Sequence, residues 1–180
     1  MWYLSLILSF FAIASPGPKL KKVKVTDRIT VSLPADFNPV TDEDMMNKAI
    51  SSQRPTAMYT NSERVVDFSV NITKNSWPDD NLALMKDFYK ASLYTMYSEV
   101  EMLKEEVREV KKRKVLSMAF ISTVKPEENA FNQKSIVNYT YVQYALVDGR
   151  VIVCNFTCPV AIYTQWQETA EAIMNTVKIK

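Results

Sequence analysis

Histidine does not occur in the 180 residues. Its absence removes Ser-His-Asp and Cys-His triads, imidazole metal ligands and histidine pH switches. Glycine is almost as scarce, with Gly17 and Gly149 alone. Phosphate-cradling loops need several glycines at close spacing, so dinucleotide and Walker-type motifs are excluded. Cysteine is limited to Cys154 and Cys158. In one strand the two would share a face about 13 Å apart, at roughly 3.3 Å per residue. A disulfide tolerates a Cα separation of about 7 Å at most. Two free, half-buried thiols are therefore expected, with no disulfide and, for want of other soft ligands, no metal site. Neither sign of charge is in excess. Lys and Arg number 22 against 20 Asp and Glu, a balance too even to point to nucleic acid.

What is present begins with an apolar run. Trp2 to Ala14 is broken only by Ser5 and Ser9 and ends in Ala12-Ile13-Ala14. Residues 1–14 have the form of a secretory signal peptide cleaved after Ala14, without the usual positive start. A buried strand or helix is the alternative. The run is shorter than the roughly 20 residues a membrane span needs, so no stable span is expected after processing. Residues 15–27, with Pro16, Pro18, Lys19, Lys21, Lys22 and Lys24, read as a solvated linker; a membrane-surface patch is the sharper alternative. Residues 28–180 are then one domain.

Within that domain Ile29, Val31 and Leu33 alternate as a strand stopped by Pro34. Thr41 fits an N-cap ahead of Asp42, Glu43 and Asp44, whose charges suit a first helical turn better than a cation site. Ala57–Asn61 and Val65–Lys74 form a hairpin, the second strand alternating Val66, Phe68, Val70 and Ile72 with polar residues. Asp79 or Asp80 caps a helix in which Leu82, Met85, Tyr89, Leu93 and Met96 make a core stripe that Phe88 broadens. Residues 100–112 fit either a helical extension or a strand. A helix of more than 30 residues is uncommon in a compact domain, and the basic turn Lys111-Lys112-Arg113-Lys114 suits a hairpin closing on Val115–Val124. Ser135–Val147 and Val151–Cys158 flank Asp148-Gly149, whose tolerance of positive φ marks a tight hairpin. A terminal amphipathic helix follows Pro159 and runs to Val177. The sequons at Asn71, Asn138 and Asn155 fall inside strands and read as chance matches.

Ile29-Thr-Val-Ser-Leu-Pro-Ala-Asp-Phe37, Thr41–Asp44, Ala57-Met-Tyr-Thr-Asn61, Asp87–Ser92, and Cys158-Pro159 with the helix around Gln165-Trp166-Gln167 carry a resemblance. With the element order, they resemble the PsbP-like superfamily, the fold of photosystem II extrinsic subunits and a Ran-binding import factor. Small exported proteins of Bacteroidota are the most similar in detail. The resemblance implies an α+β architecture, an α/β/α sandwich with an antiparallel sheet of six to seven strands covered by helices. It also implies an accessory, binding role without cofactor.

Chemistry adds little. Without histidine, an enzyme would rest on Ser-Lys, cysteine or a carboxylate pair. Cys154 and Cys158 lie in a strand interior, where nothing lowers their pKa. Glu105-Glu106 and Glu127-Glu128 read as solvated charge. The expectation is therefore an exported, periplasmic or extracellular, non-catalytic protein that engages an envelope or secreted protein partner. Trp77, Tyr139, Tyr141 and Tyr144 are the candidate contacts, with Arg64 and Arg150 as polar anchors. A lipid or small-ligand carrier, its cavity between sheet and helix lined by Met85, Met96 and Met102, is the alternative. A hydrolase with two convergent carboxylates is the third.

Overall fold

The computed structural model describes residues 18–48, 54–74, 77, 81–126 and 134–180. The leader, Asp79-Asp80 and Glu127-Glu128 lie outside the described residues.

Alternating apolar residues build the sheets. The larger one has seven antiparallel strands in the order β3 (Asn38–Pro39), β4 (Ala57–Thr60), β5 (Asp67–Lys74), β9 (Arg150–Pro159), β8 (Ile136–Val147), β7 (Arg113–Val124) and β6 (Glu99–Val110). The smaller has β1 (Leu20–Lys24), β2 (Ile29–Pro34) and β10 (Lys178–Ile179) in the order β1, β2, β10. The α+β sandwich with an antiparallel seven-stranded sheet is thus the observed architecture. Part of the expected linker is strand β1. Leu20 and Val23 pack against the core, and that burial holds a lysine-rich segment in register with β2.

Cross-strand rows set the two faces. Phe68, Phe156, Tyr141 and Ala119 stand in one row across β5, β9, β8 and β7. They are buried in a cluster with β2 and with Ala170, Ile173 and Met174 of α3 (Tyr163–Thr176). Each large apolar side chain buried there contributes about 1.5–3 kcal/mol. The opposite row, Val142 and Met118, lies under α2 (Leu82–Met96) together with Leu116 and Tyr144. A short helix, α1 (Asp42–Lys48), carries Met45 onto Met58. Thr41 caps α1 as expected, its hydroxyl accepting from the Asp44 N–H at 3.3 Å.

Residues 99–110 form a strand and not a helical extension. The bulge after Met102 leaves Leu103 unmatched and puts Met102 and Glu105, three residues apart, both on the α2 side, which is why the segment mimics helical spacing. The α2 cap is Asn81, whose side-chain oxygen accepts from the Leu84 N–H at 3.2 Å. The terminal helix stops at Thr176, and Lys178–Ile179 leave it to pair with β2. Cys154 and Cys158 are free and fully buried, deeper than the half-burial expected.

Candidate binding surface

The helix α2 divides into three faces. Leu82, Met85 and Leu93 are buried on the sheet side, where Tyr89 stacks on Tyr144 with ring centroids 4.2 Å apart. On one flank Lys86 and Lys90 reach Glu105 of β6 at 3.2 and 2.6 Å. The hydrogen bond from Lys90 holds the Glu105 carboxyl below its ordinary range. The helix's cations are therefore drawn to the flank and not to the solvent side.

On the solvent side one stripe, beside the exposed Asp87, is apolar instead. Leu84, Phe88, Ala91 and Thr95 follow one another at helical spacing, and Leu84 and Phe88 are 51% and 52% exposed. Met96, at the last turn, is 59% exposed. The two hydroxyls on this side turn inward. Ser92 donates to the Phe88 carbonyl at 2.9 Å and Thr95 to the Ala91 carbonyl at 3.2 Å. Back-bonding of this kind satisfies the hydroxyl within the helix and leaves carbon facing water. Phe88, Ala91, Ser92, Thr95 and Met96 line an open, shallow cavity of about 360 Å³. Trp77 extends the stripe, its ring 5.3 Å from Phe88 in an edge contact. An ordinary surface helix has one apolar stripe, turned to the core; α2 has two.

The residues expected to meet a partner do not come together. Tyr139 and Tyr141 are buried on the α3 side and Tyr144 on the α2 side. Burial pushes all three phenols up. A tyrosine packed this way offers no contact area, so the three are core residues and not surface anchors. Arg64 is exposed, with φ of 60°, and meets Asp44 at 3.0 Å. Arg150 is exposed beside Gly149. Arg64 precedes the start of β5 and Arg150 pairs with Lys74 at its end, so the length of that strand, roughly 25 Å at 3.3 Å per residue, separates them. Trp77 alone joins the exposed stripe. Phe88 and Met96, expected in the core stripe, face water instead, and Leu84 and Ala91 were the missed residues. The signal for them was that positions 84, 88, 91 and 95 hold no charge, the charged residues of the helix being Lys86, Asp87 and Lys90.

The methionines expected to line a carrier cavity, Met85, Met96 and Met102, part at the same helix, Met102 packing with the Met85 cluster. Met85 is fully buried while Met96 faces water, so the two do not line one space between sheet and helix.

A second cluster lies between β6 and α3. Lys104 bridges Glu106 at 3.2 Å and Glu171 at 2.8 Å. Arg108 bonds Asn175 at 2.7 Å and Ser117 at 3.1 Å. Both cations lie over the Tyr141 ring, 5.8 and 5.9 Å from its centroid. Two carboxylates do converge here. The hydrogen bond from Lys104 holds Glu171 below its ordinary range, so it stays ionised, whereas a carboxyl general acid needs its pKa raised. The arrangement suits fastening the edge strand to the helix. Burial pushes the Cys154 and Cys158 thiols up to about 12, far from the thiolate a nucleophile requires. Among the described residues no group of three acidic or cysteine side chains is placed to hold a metal ion.

No family model matches the chain, and no curated protein matches its sequence. Its fold is that of several solved structures. The Ran-binding protein Mog1p of Saccharomyces cerevisiae is 12% identical at a TM-score of 0.59, over 91% of this chain and 96% of that one. LpqN of Mycobacterium tuberculosis, involved in cell envelope biogenesis, is 11% identical at 0.57, over 90% and 91%. Cyanobacterial PsbP (CyanoP) from Synechocystis is 13% identical at 0.55, over 93% and 99%. The chain thus has the PsbP/Mog1-type α+β fold. Among the described residues no helix is long and apolar enough to cross a membrane.

Proposed function

We propose that this chain is an exported, non-catalytic accessory protein that docks a protein partner on the outer face of α2. One observation carries the reading: a helix already packed on the sheet by one stripe holds a second, aromatic-rich stripe in water. From Leu84 to Met96 that stripe is about 18 Å long at 1.5 Å per residue, enough to meet a helix or groove of another protein. Exposed apolar area with an aromatic centre is the usual composition of an interface core. The depressed Glu171 carboxyl of the α3 cluster and the buried thiols favour binding over chemistry. Export rests on the leader-like residues 1–14. One fold neighbour is a Ran-binding protein and another is involved in envelope biogenesis, which agrees with a binding role in the envelope.

The test is capture from envelope fractions of the native host by the tagged chain, by Phe88→Asp and by Arg150→Glu. The expected result is a partner held by the first and third and lost by the second. Identical recovery by all three would remove α2 from the reading. Loss of monomer in the untagged protein, reversed by Phe88→Asp, would make a second copy of the chain the partner.

A further inference from the structure

Both sheets end together on one side of the molecule. There β5 finishes at Lys74 opposite Arg150, β8 and β9 turn at Asp148-Gly149, and β6 and β7 turn at Lys111-Lys112. The smaller sheet arrives at the same place. Arg28 bonds the Asp148 carboxylate and, at 3.1 Å, the Lys180 carbonyl, and the Lys180 N–H returns to the Arg28 carbonyl at 2.9 Å. Lys74, Lys111, Lys112, Lys114, Arg150 and Lys178 are exposed there. Two of the three acids of this end among the described residues, Asp148 and Asp27, are held in ion pairs. Asp148 is held by Arg28, with Arg113 and Arg150 adding to its low pKa. Glu109 faces Lys114 across the hairpin, and Asp27 meets Lys24 at 2.5 Å. A chain with almost no net charge therefore concentrates positive charge at one end.

One local feature sets this end apart, the turn between β6 and β7. Lys111 and Lys112 both have positive φ, 49° and 68°. Such a turn favours Asn-Gly or Asp-Gly, and the neighbouring turn has Asp-Gly. Two lysines there accept left-handed strain of about 1–2 kcal/mol each, and the strain projects two ammonium groups outward.

The shape selects among anions. Neighbouring strand ends lie about 4.8 Å apart and packed sheets about 10 Å, so the cations spread over an area of roughly 20 Å by 10 Å. The exposed aromatics Phe88 and Tyr94 sit on α2, away from it, so bases have nothing to stack on. An array of exposed lysines spread over several strand ends matches a surface of anionic headgroups, where each cation adds about fivefold to binding. We infer that the basic end formed by the Lys111-Lys112 turn, Arg113, Arg150 and Lys74 seats the protein on an anionic phospholipid bilayer, independently of the α2 surface.

The experiment is co-sedimentation of the processed chain with vesicles of phosphatidylcholine alone or of phosphatidylcholine and phosphatidylglycerol in equal parts. Binding is expected to the anionic vesicles only and to weaken steeply as salt rises towards about 0.3 M, where the Debye length falls to about 6 Å. Lys111→Glu/Lys112→Glu/Arg150→Glu should lower the partition at least a hundredfold. Lys19→Glu/Lys125→Glu/Lys134→Glu changes net charge equally at the opposite end and should retain most of the binding. Circular dichroism melts of both variants check folding. Equal binding to neutral vesicles, no binding at low salt, equal loss in both variants, or preferential binding to polyglutamate or single-stranded DNA each overturns the inference.

Discussion

Replacing Phe88 by Ser separates an exposed stripe from a misjudged core. Phe88 keeps edge contacts with Trp77 and Tyr89, at 5.3 and 5.4 Å, and is about half exposed. A fully buried phenylalanine side chain is worth about 1.5–3 kcal/mol by burial. Half of that, with about 0.5–1 kcal/mol for the edge contacts, places Phe88→Ser near 1.5–2.5 kcal/mol of lost stability. Met85→Ala is the comparison one turn away. Met85 is fully buried, and truncation with a residual cavity costs about 2–5 kcal/mol. Leu84→Ser, which removes a side chain half in water, should cost about 1 kcal/mol or less. Urea denaturation followed by tryptophan fluorescence gives all three values. The expected order is Met85→Ala above Phe88→Ser, with Leu84→Ser lowest. If Phe88→Ser costs as much as Met85→Ala, the stripe is covered within the chain itself and the docking surface does not exist.

Other consequences follow from single contacts. Asn61 is buried, and its side-chain oxygen accepts from the Val65 and Val66 N–H groups at 3.0 Å each; Asn61→Ala should cost about 1–3 kcal/mol, read by the same denaturation. Cys154 and Cys158 should resist a thiol reagent at pH 8 in the folded chain and react promptly in denaturant. Ionisation of thiols released on unfolding also means that stability is complete below the free-thiol pKa near 9 and falls as pH rises towards 12. Glu105 and Glu171 titrate below their ordinary range in the folded state. Their contribution is present above that range and disappears as pH falls through the depressed values, so Lys104→Met should flatten the acid limb of a stability-against-pH curve.

Much of the fold was legible because its strands face a core on at least one side. Phe68, Val70 and their neighbours alternate in β5, and Asp148-Gly149 has the turn chemistry its φ values require. The segment from Val100 to Val110 was harder, since one bulge at Leu103 shifts the alternation and produces helical spacing in a strand. β1 was hidden by its lysines, which an edge strand tolerates because its outer side meets water. The candidate site was legible only at Trp77. Tyrosines 139, 141 and 144 carry the composition of an interface, yet they are the large residues of the two faces of a covered sheet. Sequence alone ranks Phe88 and Leu82 alike as apolar helix residues. Which of them meets the sheet depends on the angle at which β6 and its Glu105 draw the Lys86 and Lys90 flank, a tertiary fact.

The most direct measurement is photo-crosslinking in the native host with a benzophenone amino acid at position 88 or, for comparison, at Gln167, an exposed residue of α3. A discrete adduct from position 88 with none from position 167 is the predicted result. Adducts of equal yield from both positions, or from neither, would contradict a partner seated on the second helix.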